Sequence, residues 1–87
     1  MHLRRYSMTA QDTLRAKLEN QMKKSPEIHV TVSLSHPRVV LEKEPAVIKG
    51  VYAHIFQIEE YSTGAPVCRT LQYNDILSGH ITVEEIK

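Results

Sequence analysis

One amphipathic helix followed by a small antiparallel barrel of five short strands, mainly β within the α+β class, is the architecture this 87-residue sequence predicts. Three observations carry it. Ala10, Leu14, Leu18 and Met22 recur at helical spacing. After Pro26 the apolar residues switch to strict alternation. Turn-forming residues then cut the remainder into short runs. The length allows one domain, laid out as an N-terminal arm over 1–8, the helix over 9–24 and the barrel over 27–87.

In the helix, Thr9 is the expected N-cap, with Asp12 completing a shortened capping box three residues on. Lys23 and Lys24 fall in the last turn, where cations favour the dipole. Ser25-Pro26 ends the helix, because the residue before proline is pushed out of the α region. Met8 offers a second start site for translation, which would make residues 1–7 an extension.

Beyond Pro26, Ile28, Val30, Val32 and Leu34 alternate with polar residues as a half-buried first strand. Ser35-His36-Pro37-Arg38 is a turn. A second strand restarts at Val39-Val40-Leu41 and continues to Glu44. Pro45 interrupts it, which implies an edge position, a bulge or a break there, and Gly50 is expected to mark a bend after Val47-Ile48. Ile55 to Glu60 is a third strand. Thr63-Gly64-Ala65-Pro66 connects it to a fourth running from Val67 to Tyr73. Asn74 to Gly79 reads as one helical turn, and Ile81 and Val83 belong to a last strand. A bent second strand lets a small sheet curl towards closure. A single helical turn between the fourth and fifth strands is the arrangement of SH3-like barrels.

Composition narrows the function classes. With 41% hydrophobic and 24% charged residues the chain is globular rather than disordered. Without tryptophan, its core rests on Val, Ile and Leu. Cys68 is the only cysteine, so there is no intrachain disulfide and no thiolate zinc cluster, which suits a reducing compartment. No apolar run approaches the ~20 residues of a transmembrane helix. The arginines of the N-terminal segment are followed by no apolar stretch of the kind a secretory leader carries. The expected location is the cytoplasm.

Charge is unevenly spread. Arg4, Arg5, Arg15, Lys17, Lys23 and Lys24 face only Asp12 and Glu19 within residues 1–26, a net +4, whereas residues 27–87 carry −3. This points to a contact surface on the helix, with Arg15, Lys17, Lys23, Lys24, Arg38 and Lys49 as candidate partner-binding residues.

No catalytic, cofactor-binding or metal-ligating set is predicted. His29, His36, His54 and His80 lie on different strands and turns without paired ligand spacing. Cys68 sits inside a strand, and its neighbour Arg69 faces the other side. Glu59-Glu60 and Glu84-Glu85 are adjacent pairs, so neither forms an acid/base dyad on one face. The expectation is a protein that is not an enzyme. Nucleic-acid binding has some support, since Tyr52, Phe56, Tyr61 and Tyr73 offer ring faces and Arg38, Lys43, Lys49 and Arg69 offer cations. The acidic body weakens it, and core packing is the favoured role for those rings.

The run Tyr52-Ala53-His54-Ile55-Phe56-Gln57-Ile58 and the closing Leu71-Gln72-Tyr73-Asn74-Asp75-Ile76-Leu77 resemble the Veg proteins of low-GC Gram-positive bacteria. Those are small proteins with an N-terminal helix and an SH3- or Sm-like barrel. Tyr52, Phe56 and Ile58 match one family segment; Tyr73, Asp75, Ile76 and Leu77 match the other. Ala53 stands where the family has proline. Ala46, next to Pro45, stands where a glycine is usual, and the basic run into the second strand is reduced to Arg38 and Lys43. The resemblance implies a regulatory protein connected with biofilm formation that acts on a transcription regulator, with no catalytic residue. Asp75 is read as structural, accepting backbone N–H groups to start the helical turn, with Ile76 or Leu77 plugging the barrel end. A protein partner is the leading expectation, with a nucleic-acid-binding Sm-like barrel or a structural homo-oligomer such as a homodimer as alternatives. No membrane partner is expected.

Overall fold

The structure, a computed structural model, describes residues 9–36 and 38–86. The expected N-terminal arm and the start-site question at Met8 lie outside the described residues. Helix α1 spans Ala10–Lys24, with both halves of the predicted capping box formed. Asp12 N–H donates to Thr9 Oγ1 at 3.0 Å, and Thr9 N–H donates to Asp12 Oδ2 at 3.2 Å. The hydrogen bond from the Thr9 backbone is the main reason the Asp12 carboxyl lies below its ordinary pKa. Leu14 and Leu18 are buried and Met22 packs on the same core, while Ala10 is exposed. The helical stripe therefore points inward only from its second turn.

Five antiparallel strands follow: β1 (Glu27–Ser35), β2 (Arg38–Val51), β3 (Ile55–Glu60), β4 (Val67–Gln72) and β5 (Ile81–Val83), in the spatial order β4-β3-β2-β1-β5. A short helix α2 (Tyr73–Leu77) joins β4 to β5, and a 3-10 turn closes the described chain at Glu84–Ile86. Among the described residues no pairing joins β4 to β5, so the sheet is open. Ile28, Val30, Val32, Leu41, Ile48, Phe56, Ile58, Ile81 and Val83 fill its inner face beneath Leu14 and Leu18.

Of the edge position, bulge or break expected at Pro45, the structure shows the edge position, and β2 is not broken there. Pro45 pairs with His29 inside a continuous strand, and β3 begins to pair with β2 only at Ala46. At Pro45 the strand has β1 alone as a ladder neighbour, so the missing N–H falls where pairing is one-sided. The irregularity lies two residues earlier. Val30 pairs with Glu44 but Val32 with Leu41, so Glu42 and Lys43 oppose the single residue Thr31. Lys43 takes a left-handed backbone, φ +46, and its N–H donates to Thr31 Oγ1 at 3.1 Å. That conformation is costly for a residue with a Cβ. Lys43→Gly is therefore expected to raise stability by about 0.5–1 kcal/mol in denaturant unfolding. A loss of stability would show that the lysine stem contributes more than the backbone costs.

The predicted bend at Gly50 is a second bulge, with Lys49 as the extra residue between the pairs Ile48–Ile58 and Gly50–Gln57. The Tyr52 ring lies over Gly50, where an added Cβ would sit 2.5 Å from Tyr52 Oη. A side chain at position 50 would have to displace that ring.

Candidate functional site

Of the six basic residues singled out from the sequence, the fold brings two together. Lys17 and Lys24, two turns apart on one side of α1, line a groove of about 320 Å³ with Asn20, Gln21, Glu85 and Ile86. The helix supplies the cations and amides. The closing 3-10 turn supplies the opposite wall, including the partly buried apolar side chain of Ile86.

Glu85 holds that wall in place. Its Oε1 accepts the His29 backbone N–H at 2.8 Å, and its Oε2 lies 2.8 Å from His29 Nδ1. Burial by itself would raise the Glu85 carboxyl, but the hydrogen bonds from His29 outweigh it and leave the pKa below the ordinary value. A carboxylate held low in the folded state stabilises the fold above its unfolded pKa. The contribution disappears as pH falls through the folded value. The groove wall is therefore fastened at neutral pH and loosened in acid.

The other candidates lie apart. Arg15 is 3.7 Å from Asp12 in an i,i+3 pair. Lys23 is exposed but does not line the groove. Arg38 opens β2 beside the β1–β2 connection, and Lys49 is the extra residue at the far bulge. Lys49 lies eleven positions beyond Arg38 along the strand, up to ~36 Å if straight. Arg69, offered from sequence as a phosphate contact, is half-buried and committed to an internal carboxylate: its Nε lies 2.5 Å from Glu60 Oε2.

The ring faces are divided in the same way. Phe56 and Tyr73 are fully buried and stack with centroids 5.8 Å apart. Tyr73 Oη donates to the Tyr52 carbonyl, and burial raises the phenol pKa, so the hydroxyl remains a donor. Tyr52 and Tyr61 are exposed, and Tyr61 Oη donates to Glu59 Oε1 at 2.7 Å. In the segment matched to the Veg proteins, Asp75 does not start α2. That helix begins at Tyr73 with Gln72 as its cap and no side-chain capping bond. Asp75 sits in the first turn, where a carboxylate still suits the dipole, and its carbonyl accepts the His80 N–H at 2.9 Å. Ile76 packs against the core, whereas Leu77 is half exposed.

Sequence reasoning missed the Glu60–Arg69 pair. Glu60 is fully buried, and its Oε1 also accepts the Ser62 N–H at 2.7 Å. The signal was present, since Glu60 follows Phe56 and Ile58 at spacing two and so shares their inward face. It also missed the Glu85 clamp, and the chain in which Gln11 reaches His54 Nδ1 at 3.1 Å and donates to Asn74 Oδ1 at 2.6 Å. A second cleft of about 310 Å³ lies beside β1 and β2, lined by residues that include Glu27, His29, Pro45 and Tyr61. Among the described residues no group of three or more His, Cys, Asp or Glu side chains is placed to hold a metal. No described helix is long and apolar enough to cross a membrane.

Neither the protein-family models, nor the curated proteins, nor the solved structures give a match to this chain. The resemblance to the Veg proteins rests on the residues quoted above.

Proposed function

We propose that the protein is a small, non-enzymatic, cytoplasmic binding module whose groove between α1 and the closing 3-10 turn receives an acidic segment of a protein partner. The observation that carries this reading is the convergence of Lys17 and Lys24 with the amides of Asn20 and Gln21 over the apolar side of Ile86. Two cations spaced along a helix meet carboxylates spaced along an extended or helical peptide. The Asn20 amide bonds its backbone, the Gln21 Nε2 being already given to the Ser25 carbonyl at 3.0 Å, and an apolar contact excludes water. The resemblance to the Veg proteins implies a transcription regulator linked to biofilm formation as that partner. We also assign the open sheet to the SH3-like class of small barrels. Its strand order, the long bulged β2 and the single helical turn between β4 and β5 support that assignment.

A nucleic-acid role has less support. Phe56 and Tyr73 are committed to the core, Arg69 to Glu60, and Arg38 and Lys49 to distant ends of β2. Stacking platforms need exposed rings beside a continuous basic track.

A photo-crosslinking residue at Asn20 tests the proposal in cells. The expected product is one protein adduct, reduced at least ~10-fold by Lys17→Glu with Lys24→Glu, because each reversal replaces an attraction by a repulsion. An adduct to RNA, or a protein adduct unaffected by the reversal, would overturn it.

A further inference from the structure

Among the described residues, open edge runs along β5, along the part of β2 that β3 does not reach and along β4, and the sequence blunts the first two. β5 is only three residues long, between Gly79, at φ +87, and the 3-10 turn. The unpaired half of β2 carries the Lys43 bulge and ends at Pro45. Bulges, lysine, proline and shortness are the usual devices that keep an edge from recruiting another strand. β4 has none of them. It is six residues long and regularly paired with β3 throughout. Its one charged side chain, Arg69, is turned to the inner face and tied to Glu60.

The direction of its free backbone groups follows from the register. Ile55 pairs with Gln72, and one step further Tyr73 N–H donates to the His54 carbonyl at 3.3 Å. Tyr73 therefore points its N–H at β3. By alternation Leu71, Arg69 and Val67 do the same, while Cys68, Thr70 and Gln72 point their N–H groups outward. Those three side chains are exposed and uncharged.

We propose that the β4 edge is a self-association surface, on which β4 of a second copy adds in antiparallel register about Thr70. Thr70 of one protomer then faces Thr70 of its partner, and each Cys68 faces a Gln72. On the inner face each Arg69 lies opposite Leu71 rather than opposite the other arginine, so the two-fold brings no like charges together. Centring the pair on Arg69 would oppose the two guanidinium groups, which selects the Thr70 register. A single strand pair is small beside a standard interface of ~1,600 Å², so association is expected in the micromolar range.

Sedimentation equilibrium of the full chain from micromolar to millimolar concentration should show a reversible dimer. Thr70→Cys in a Cys68→Ser background should form an intermolecular disulfide under mild oxidation, because facing residues of a hydrogen-bonded pair sit ~5.5 Å apart at Cα, within disulfide reach. The native Cys68 should not, being some four residues, ~13 Å, from its counterpart along the strand. Thr70→Pro removes an outward N–H that no described residue of the monomer accepts, so it should keep the circular dichroism of the native fold and lose the dimer. A monomer across the whole range would overturn the proposal. So would a dimer that persists in a folded Thr70→Pro, or efficient crosslinking through Cys68 and none through Thr70→Cys. None of these measurements involves the α1 groove, so this result and that of the partner test stand separately.

Discussion

Replacing Arg69 by alanine is expected to cost about 3 kcal/mol of stability, because it leaves the Glu60 carboxylate buried without its cation. Glu60 is fully enclosed while the Arg69 side chain is 26% exposed, which puts the cost towards the low end for a broken buried pair. In the native protein, burial by itself would raise the Glu60 carboxyl. The hydrogen bonds from Ser62 and the guanidinium outweigh it and hold the pKa below its ordinary 4.5. The native pair thus stabilises the fold above that value and ceases to do so as pH falls through the lowered one. In Arg69→Ala, burial is opposed by Ser62 alone and the carboxyl is expected to rise. Protonation in acid then relieves the variant. Its deficit against the native protein should be largest near pH 7 and narrow towards ~pH 4. Denaturant unfolding at both pH values measures this, and a deficit of equal size at each would assign the loss to packing of the arginine stem. Glu60→Gln together with Arg69→Met should lie closer to the native protein than Arg69→Ala, since removing both charges leaves nothing uncompensated.

Tyr73→Ala is expected to destabilise by about 4 kcal/mol, within the range for removing a large buried aromatic. The ring is fully buried at the start of α2 and lies nearly parallel to Phe56, with 7° between the planes. Its loss opens a cavity where β4 hands over to the segment that returns as β5. Tyr73→Phe separates the two contributions. It keeps the stack and removes only the donor to the Tyr52 carbonyl, for an expected cost of about 1 kcal/mol. Tyr52 is half exposed, so water can reach that carbonyl and limit the penalty. Thermal unfolding of both variants is the measurement. Equal losses would mean that the hydroxyl, not the ring, fastens α2 to the β2–β3 connection.

Both predictions concern residues whose neighbours could not be read from local pattern. Arg69 and Tyr73 were both legible as residues of the fourth strand, although Tyr73 in fact opens α2, and the resemblance to the Veg proteins drew attention to Tyr73. Their partners, Glu60 and Phe56, both stand on the adjacent strand β3. For the proposed groove, the basic character of α1 was plain in the sequence. The opposite wall was not, because Glu85 and Ile86 reach Lys17 and Lys24 only after the whole sheet has brought the chain back to the helix. Arg38 and Lys49 failed to join for a related reason: β2 is one long strand, so residues near its two ends are held apart.

By itself the sequence determined what local physics determines. Thr9 and Asp12 fix the start of α1, Ser25-Pro26 fixes its end, and alternation fixes which side of β1 and β3 is buried, including the inward position of Glu60. Only the tertiary structure decided that Pro45 sits within a continuous strand, that Lys43 carries the bulge, that Arg69 neutralises Glu60, and that among the described residues the sheet stays open with β4 at one edge. Each of these depends on which strand lies alongside and in what register. That is a non-local outcome of burying the apolar faces together, and no window of neighbouring residues contains it.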